Sequence, residues 1–165
     1  MKRAICLLFL SFSLALSVHA GKRVSILGDS YSTFQGFVEP ADNEVWYFIT
    51  CDSVKTDVCD VSQTWWHQFI SASGYKLDKN NSYSGSTICN TGYYGADYSD
   101  RSFISRMDNL GCPDLIIVFG ATNDSWANSP IGDYKWNNWT NEDLKSFRPA
   151  LCYMLSHLKN RYINT

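Results

Sequence analysis

The chain has no second long apolar run, no cluster of Lys or Arg, no internal repeat and no low-complexity tract. Each absence removes a class of protein. The one apolar run, residues 5–16, is too short to span a bilayer comfortably, and nothing follows it that could. With 14 Lys+Arg against 16 Asp+Glu the formal charge is −2, so the basic footprint of a nucleic-acid binder is missing. No cysteine pair has zinc-like spacing with histidine, so neither a metal site nor a cofactor is expected. The glycine and lysine pattern of a phosphate loop is absent too. Histidine is scarce, at 3 residues, and no aspartate has a histidine three positions later.

Residues 1–20 read as an export signal: Lys2 and Arg3 first, the apolar run next, then small residues around Val18-His19-Ala20. The expected address is therefore secreted or periplasmic, with no membrane anchor after cleavage. Residues 21–165 form one domain's worth of chain, enough for a core. Five cysteines remain after residue 20, an odd number that leaves at least one thiol free or paired outside the chain. In an oxidising compartment Cys51 and Cys59 could close a short loop. Aromatics reach 15%, more than a small core usually needs.

Hydrophobic patterning predicts strands alternating with helices. Arg23 to Leu27 reads as a short buried strand ended by Gly28, and Tyr75 to Lys79 as a second. Leu115 to Phe119 is a continuous apolar run, as expected of a strand covered on both faces. Ser62 could cap a helix carrying Trp65, Trp66, Phe69 and Ile70 and stopped by Gly74. Phe103, Ile104, Met107 and Leu110 recur at helical spacing, with Ser99 or Asp100 as cap and Gly111 as stop. Leu144 to Tyr162 marks a long helix, with Thr140 and Asp143 as a capping-box variant and Pro149 expected to kink or divide it. This order predicts a three-layer α/β/α fold with a parallel, flavodoxin-like sheet.

Ligands of such sheets bind beyond the carboxyl ends of the strands. Three such ends carry polar residues: Asp29-Ser30 after the first strand, Ser84-Gly85-Ser86 after the second, and Asn123-Asp124 after the third. Taken singly, each is as well explained by a turn, a helix cap or an Asx turn. Asn80, Asn123 and Asn138 also begin glycosylation sequons, and a glycan on Asn123 would block the site proposed below.

In order, the three blocks resemble the Ser-Gly-Asn-His hydrolases, the GDSL family. The resemblance implies Ser30 as nucleophile, with Gly85 and the Asn123 amide completing an oxyanion hole and Asp29 and Asp124 in support. Two departures stand out. Ala121 occupies a position where the family's third block has glycine. The family's late Asp-x-x-His block is missing, and beyond the signal only His67 and His157 remain, both within predicted helices. The chain also stops just after its last helix. The expectation is therefore a sequence incomplete at its C-terminus, with feeble activity as it stands.

The implied activity is a serine ester hydrolase acting through an acyl-enzyme on a small-molecule or carbohydrate ester. Trp46, Tyr47, Tyr93, Tyr94, Trp126, Trp136 and Trp139 lie in predicted loops, where rings could stack on sugars and favour a carbohydrate O-acyl esterase, or could simply pack the loops. The rival readings are a non-catalytic carbohydrate-binding protein on the same fold, an inactive fragment, and a phosphate binder built on the Ser84-Gly85-Ser86 loop.

Overall fold

The computed structural model describes residues 21–50 and 56–162; the expected export signal over residues 1–20 and the expected loop cysteine Cys51 lie outside the described residues. Three parallel strands, β1 (Arg23–Gly28), β2 (Lys76–Ser82) and β3 (Leu115–Phe119), form a sheet in the order β2-β1-β3. Successive side chains of β1 point to opposite faces, and each face has its own apolar cluster. Ile26 packs with Phe34, Tyr47 and Trp66, beneath helix α1 (Trp65–Ser73). Leu27 packs with Phe103, Met107, Leu110 and Met154, from α2 (Phe103–Arg106), the turn after it and α4 (Phe147–Arg161). The protein is thus a three-layer α/β/α fold of flavodoxin-like type, with β1 at its centre.

Several elements differ from their sequence patterns, each for a local reason. Strand β2 runs on to Ser82 because its polar end finds partners inside the protein. The Asn80 amide donates to Ser32 O at 2.8 Å, and Asn81 donates to the carbonyls of Arg106 and Asn109 at 3.0 and 3.1 Å. Helix α1 is capped by Thr64 rather than Ser62, which lies in a 3-10 turn headed by Asp60. Helix α2 is one short turn after Ser102; Met107 and Leu110 still reach the core from the turn that follows. Among the described residues β3 pairs only with β1 and is an edge. Its side chains are half-buried, and Phe119 is 42% exposed, against the expectation of cover on both faces.

Pro149 neither kinks nor divides the last helix. It is the third residue of α4, among the first four whose N–H has no intrahelical acceptor, so a missing donor costs nothing there. The N–H groups of Phe147 and Arg148 instead donate to Pro130 O and Ile131 O at 2.8 and 2.9 Å. Thr140 and Asp143 do bond one another, but they brace a separate 3-10 turn at Asp143–Lys145.

Candidate active site

Strand register brings the three blocks to one rim. Gly28 pairs with Ser82 on one side and Phe119 on the other, so all three strands end level. A Cβ on Gly28 would lie 2.5 Å from Ser32 Cβ and 2.6 Å from Ser82 Oγ. Only glycine lets the chain turn there with β2 so close. Ser30 then opens a 3-10 turn (Ser30–Ser32), with Asp29 as its cap accepting from Tyr31 N at 3.1 Å. Among the described residues, neither the Ser30 hydroxyl nor its N–H makes a hydrogen bond.

Asp29 is fully buried, and its second carboxylate oxygen has no hydrogen-bond partner. Burial raises its pKa to about 6, with the Tyr31 N–H and the Arg106 charge opposing. A raised carboxylate pKa means the folded state holds its proton more tightly than the unfolded chain. Its stabilising contribution is complete below the unfolded value of 3.8 and is lost as pH rises through about 6. Asp29→Asn keeps the capping oxygen and removes the titration. The melting temperature of the variant relative to wild type should therefore climb between pH 4 and 6.5. A constant difference across that range would refute the buried proton.

The second block is a turn with Gly85 at φ +79°, left-handed backbone that favours glycine. Within it Ser84 N donates to Glu44 O and Ser86 N to Tyr83 O, at 2.8 and 3.2 Å. Of the three N–H groups of Ser84-Gly85-Ser86, that of Gly85 is left without an acceptor among the described residues. A phosphate-cradling nest needs successive free N–H groups, so this loop is poorly suited to one. It suits a single donated hydrogen bond.

Beneath the turn lies a residue that the sequence pattern did not single out. The buried guanidinium of Arg106 donates to Arg101 O at 2.8 Å, to Asn81 O, to Gly28 O at 3.1 Å and to Ser86 Oγ at 2.9 Å. Its carbon lies 4.9 Å from the centroid of the Phe103 ring. One side chain thus ties the end of β1, the end of β2 and the Gly85 turn together. No local signal marks it, because its acceptors lie 5 to 78 residues away along the chain.

The third block is a short helix, α3 (Thr122–Trp126), not a loop. The Asn123 amide is 3% exposed and bonded at both ends: Nδ2 donates to Ser86 O at 3.0 Å, and Oδ1 accepts from the Tyr93 hydroxyl at 2.8 Å. One Nδ2 hydrogen remains. Buried Asp124 accepts from the N–H groups of Ile88 and Cys89 at 2.8 and 3.2 Å, anchoring the chain that follows the Gly85 turn. Burial raises its pKa against those bonds. Of the sequon asparagines, Asn80 and Asn123 are buried and Asn138 is exposed.

Ala121 adopts φ +81°, ψ −12°, the conformation that glycine accepts without cost. For alanine the cost is about 1–2 kcal/mol, against about 0.5–1 kcal/mol of extra chain entropy lost by glycine on folding. Ala121→Gly should thus stabilise the protein by about 0.5–1 kcal/mol. A urea midpoint equal to or below wild type would show that the turn carries no strain.

Ser30, Gly85 and Asn123 all line one cavity of about 560 Å³, together with Tyr31, Tyr47, Tyr93, Trp46 and Trp126. Trp46 and Trp126 expose 44% and 60% of their surface. Tyr94 is fully exposed and does not line this cavity, while Trp136 and Trp139 line a separate groove of about 400 Å³ with Tyr153 and His157. A cavity of about 620 Å³ beside α3, lined by Ala121, Ile131 and Phe147, contains neither Ser30 nor Gly85. Neither described histidine reaches Ser30's cavity: His67 lies 3.4 Å from Ser71 Oγ on α1, and His157 lies 2.6 Å from Asp108. Cys59 is disulfide-bonded, while Cys89, Cys112 and Cys152 are free thiols.

At the carboxyl rim of a parallel α/β sheet, a serine, a glycine N–H and an asparagine amide thus surround one cavity. The GDSL-like lipase/acylhydrolase family model matches residues 22–165, and the chain belongs to that family. Its fold matches the crystal structure of a protein from Bacteroides ovatus ATCC 8483, provisionally described as a GDSL-like lipase. There the TM-score is 0.86 and the identity 61%, over 88% of this chain and 70% of that one. A protein of the same description from Bacteroides uniformis ATCC 8492 gives 0.84 and 58%, over 89% of this chain and 69% of that one. No curated protein sequence matches the chain at comparable significance.

Proposed function

We propose that the protein is a serine ester hydrolase working through an acyl-enzyme on O-acylated carbohydrate. Membership of the GDSL-like lipase/acylhydrolase family supports ester hydrolysis. The observation that carries the mechanism is the shared cavity, in which Ser30 Oγ stands beside hydrogen-bond donors with no acceptor: Ser30 N–H, Gly85 N–H and one Nδ2 hydrogen of Asn123. Ser30 Oγ attacks the ester carbonyl carbon, and the oxygen that becomes negative is held by those donors. The alcohol leaves with a proton, and water then releases the acid from Ser30. A general base carries the Ser30 proton to the departing alcohol, and neither His67 nor His157 lines the cavity to serve as that base.

The substrate class rests on the exposed Trp46 and Trp126 rings in the same cavity as Ser30, flat apolar faces on which a sugar ring can stack. The disulfide at Cys59 supports action outside the cytoplasm, in keeping with an export signal over residues 1–20. The test uses protein from the complete reading frame, offered p-nitrophenyl acetate and O-acetylated sugars. Turnover of both, with the sugar ester preferred, supports the proposal. Sugar binding without ester turnover would replace it with a non-catalytic carbohydrate-binding protein.

A further inference from the structure

Resting on that reading, we propose that Tyr93 is a positioning residue: its hydroxyl holds the Asn123 amide with the nitrogen side toward the reacting oxygen. An asparagine amide has two nearly isosteric ends of opposite polarity. With Nδ2 toward the cavity it stabilises an oxyanion; flipped, it presents a carbonyl oxygen and repels one. Two contacts decide the orientation. Ser86 O can only accept, so it demands the nitrogen, at 3.0 Å. The Tyr93 hydroxyl, 2.8 Å from Oδ1, donates and claims the oxygen. Burial raises the phenol's pKa, so it keeps the proton it donates. A donor on the amide oxygen also polarises the amide and strengthens its remaining N–H.

The loop that carries Tyr93 is built to hold it. Tyr93 begins a 3-10 turn (Tyr93–Gly95), closed by Gly92 N donating to Ala96 O at 2.8 Å and Ala96 N to Tyr93 O at 3.1 Å. Thr91 bridges to Asp97 across its base. The next residue, Tyr94, sits at φ 59°, unusual for a bulky side chain. Of the two neighbouring tyrosines one is fully exposed and one is turned onto Asn123, which a loop that merely displays aromatic rings does not require.

The alternative is that Tyr93 serves as another ring for a sugar face. Tyr93→Phe separates the two, since it keeps the ring and removes the hydroxyl. On p-nitrophenyl acetate, with protein from the complete reading frame, Tyr93→Phe should lower kcat about tenfold with KM within about twofold. That is less than the 10² to 10³ expected for losing a donor outright. In an Asn123→Ala background the same change should have no further effect, because the two residues act as one unit. Wild-type kcat in Tyr93→Phe, or additive losses in the double variant, would overturn the inference and leave the esterase standing. A wild-type protein without Ser30-dependent turnover would instead remove the esterase reading, and this inference with it.

Discussion

Ser30→Ala is expected to lower ester turnover by about 10³-fold or more while leaving the fold unchanged. The loss is large because Ser30 is the nucleophile of the proposed mechanism, and an oxyanion hole without its nucleophile retains only a small residual over water. Stability should hold because the Ser30 hydroxyl makes no hydrogen bond among the described residues, and alanine fits the same turn. The measurement pairs steady-state kinetics with a thermal melt. Retention of more than a tenth of wild-type kcat would remove Ser30 from the chemistry. A coincident collapse of the melting temperature would instead mean that the serine is structural.

The second large effect falls on the fold. Arg106→Met should cost about 3–5 kcal/mol, because it removes charge-assisted donors to several buried acceptors while keeping much of the side chain's volume, and Gly28 O is left with the Tyr83 N–H alone. Gly28 O, Asn81 O and Ser86 Oγ would lose a charged partner together. Each unmatched buried group costs about 1–3 kcal/mol. Arg106→Lys should recover only part of the loss, since an ammonium cannot reproduce the guanidinium fork. With a urea slope of about 1–3 kcal/mol per molar, the midpoint should fall by more than about 1 M. A midpoint within a few tenths of wild type would show that water replaces the guanidinium without penalty.

The two expectations differ in how far the sequence foretold them. Ser30, Gly85 and Asn123 could be picked out as candidates because they follow the three predicted strands in the order that the GDSL family uses. Arg106 was not legible, since its neighbours Phe103, Met107 and Leu110 make its stretch look like one face of an ordinary helix. Similarly, Asn80, Asn81 and Ser82 read as the start of a loop, and their place in β2 depends on acceptors in Ser32, Arg106 and Asn109. Pro149 misled for a related reason. Its effect on a helix depends on where the helix begins, and carbonyls of Pro130 and Ile131 set that start from outside the helix.

By itself the sequence determined the layer architecture and the identity and order of the polar blocks. Those follow from short-range patterns: apolar runs of strand length, helical spacing, and small or polar residues at the ends of runs. Tertiary structure alone decided the rest. The pairing of Gly28 with both Ser82 and Phe119 levels the three strand ends, so that the blocks share one cavity. Arg106 locks two of those ends together, and Tyr93 with Ser86 orients the Asn123 amide. Each of those side-chain hydrogen bonds joins residues 20 to 78 positions apart and leaves no periodicity to read.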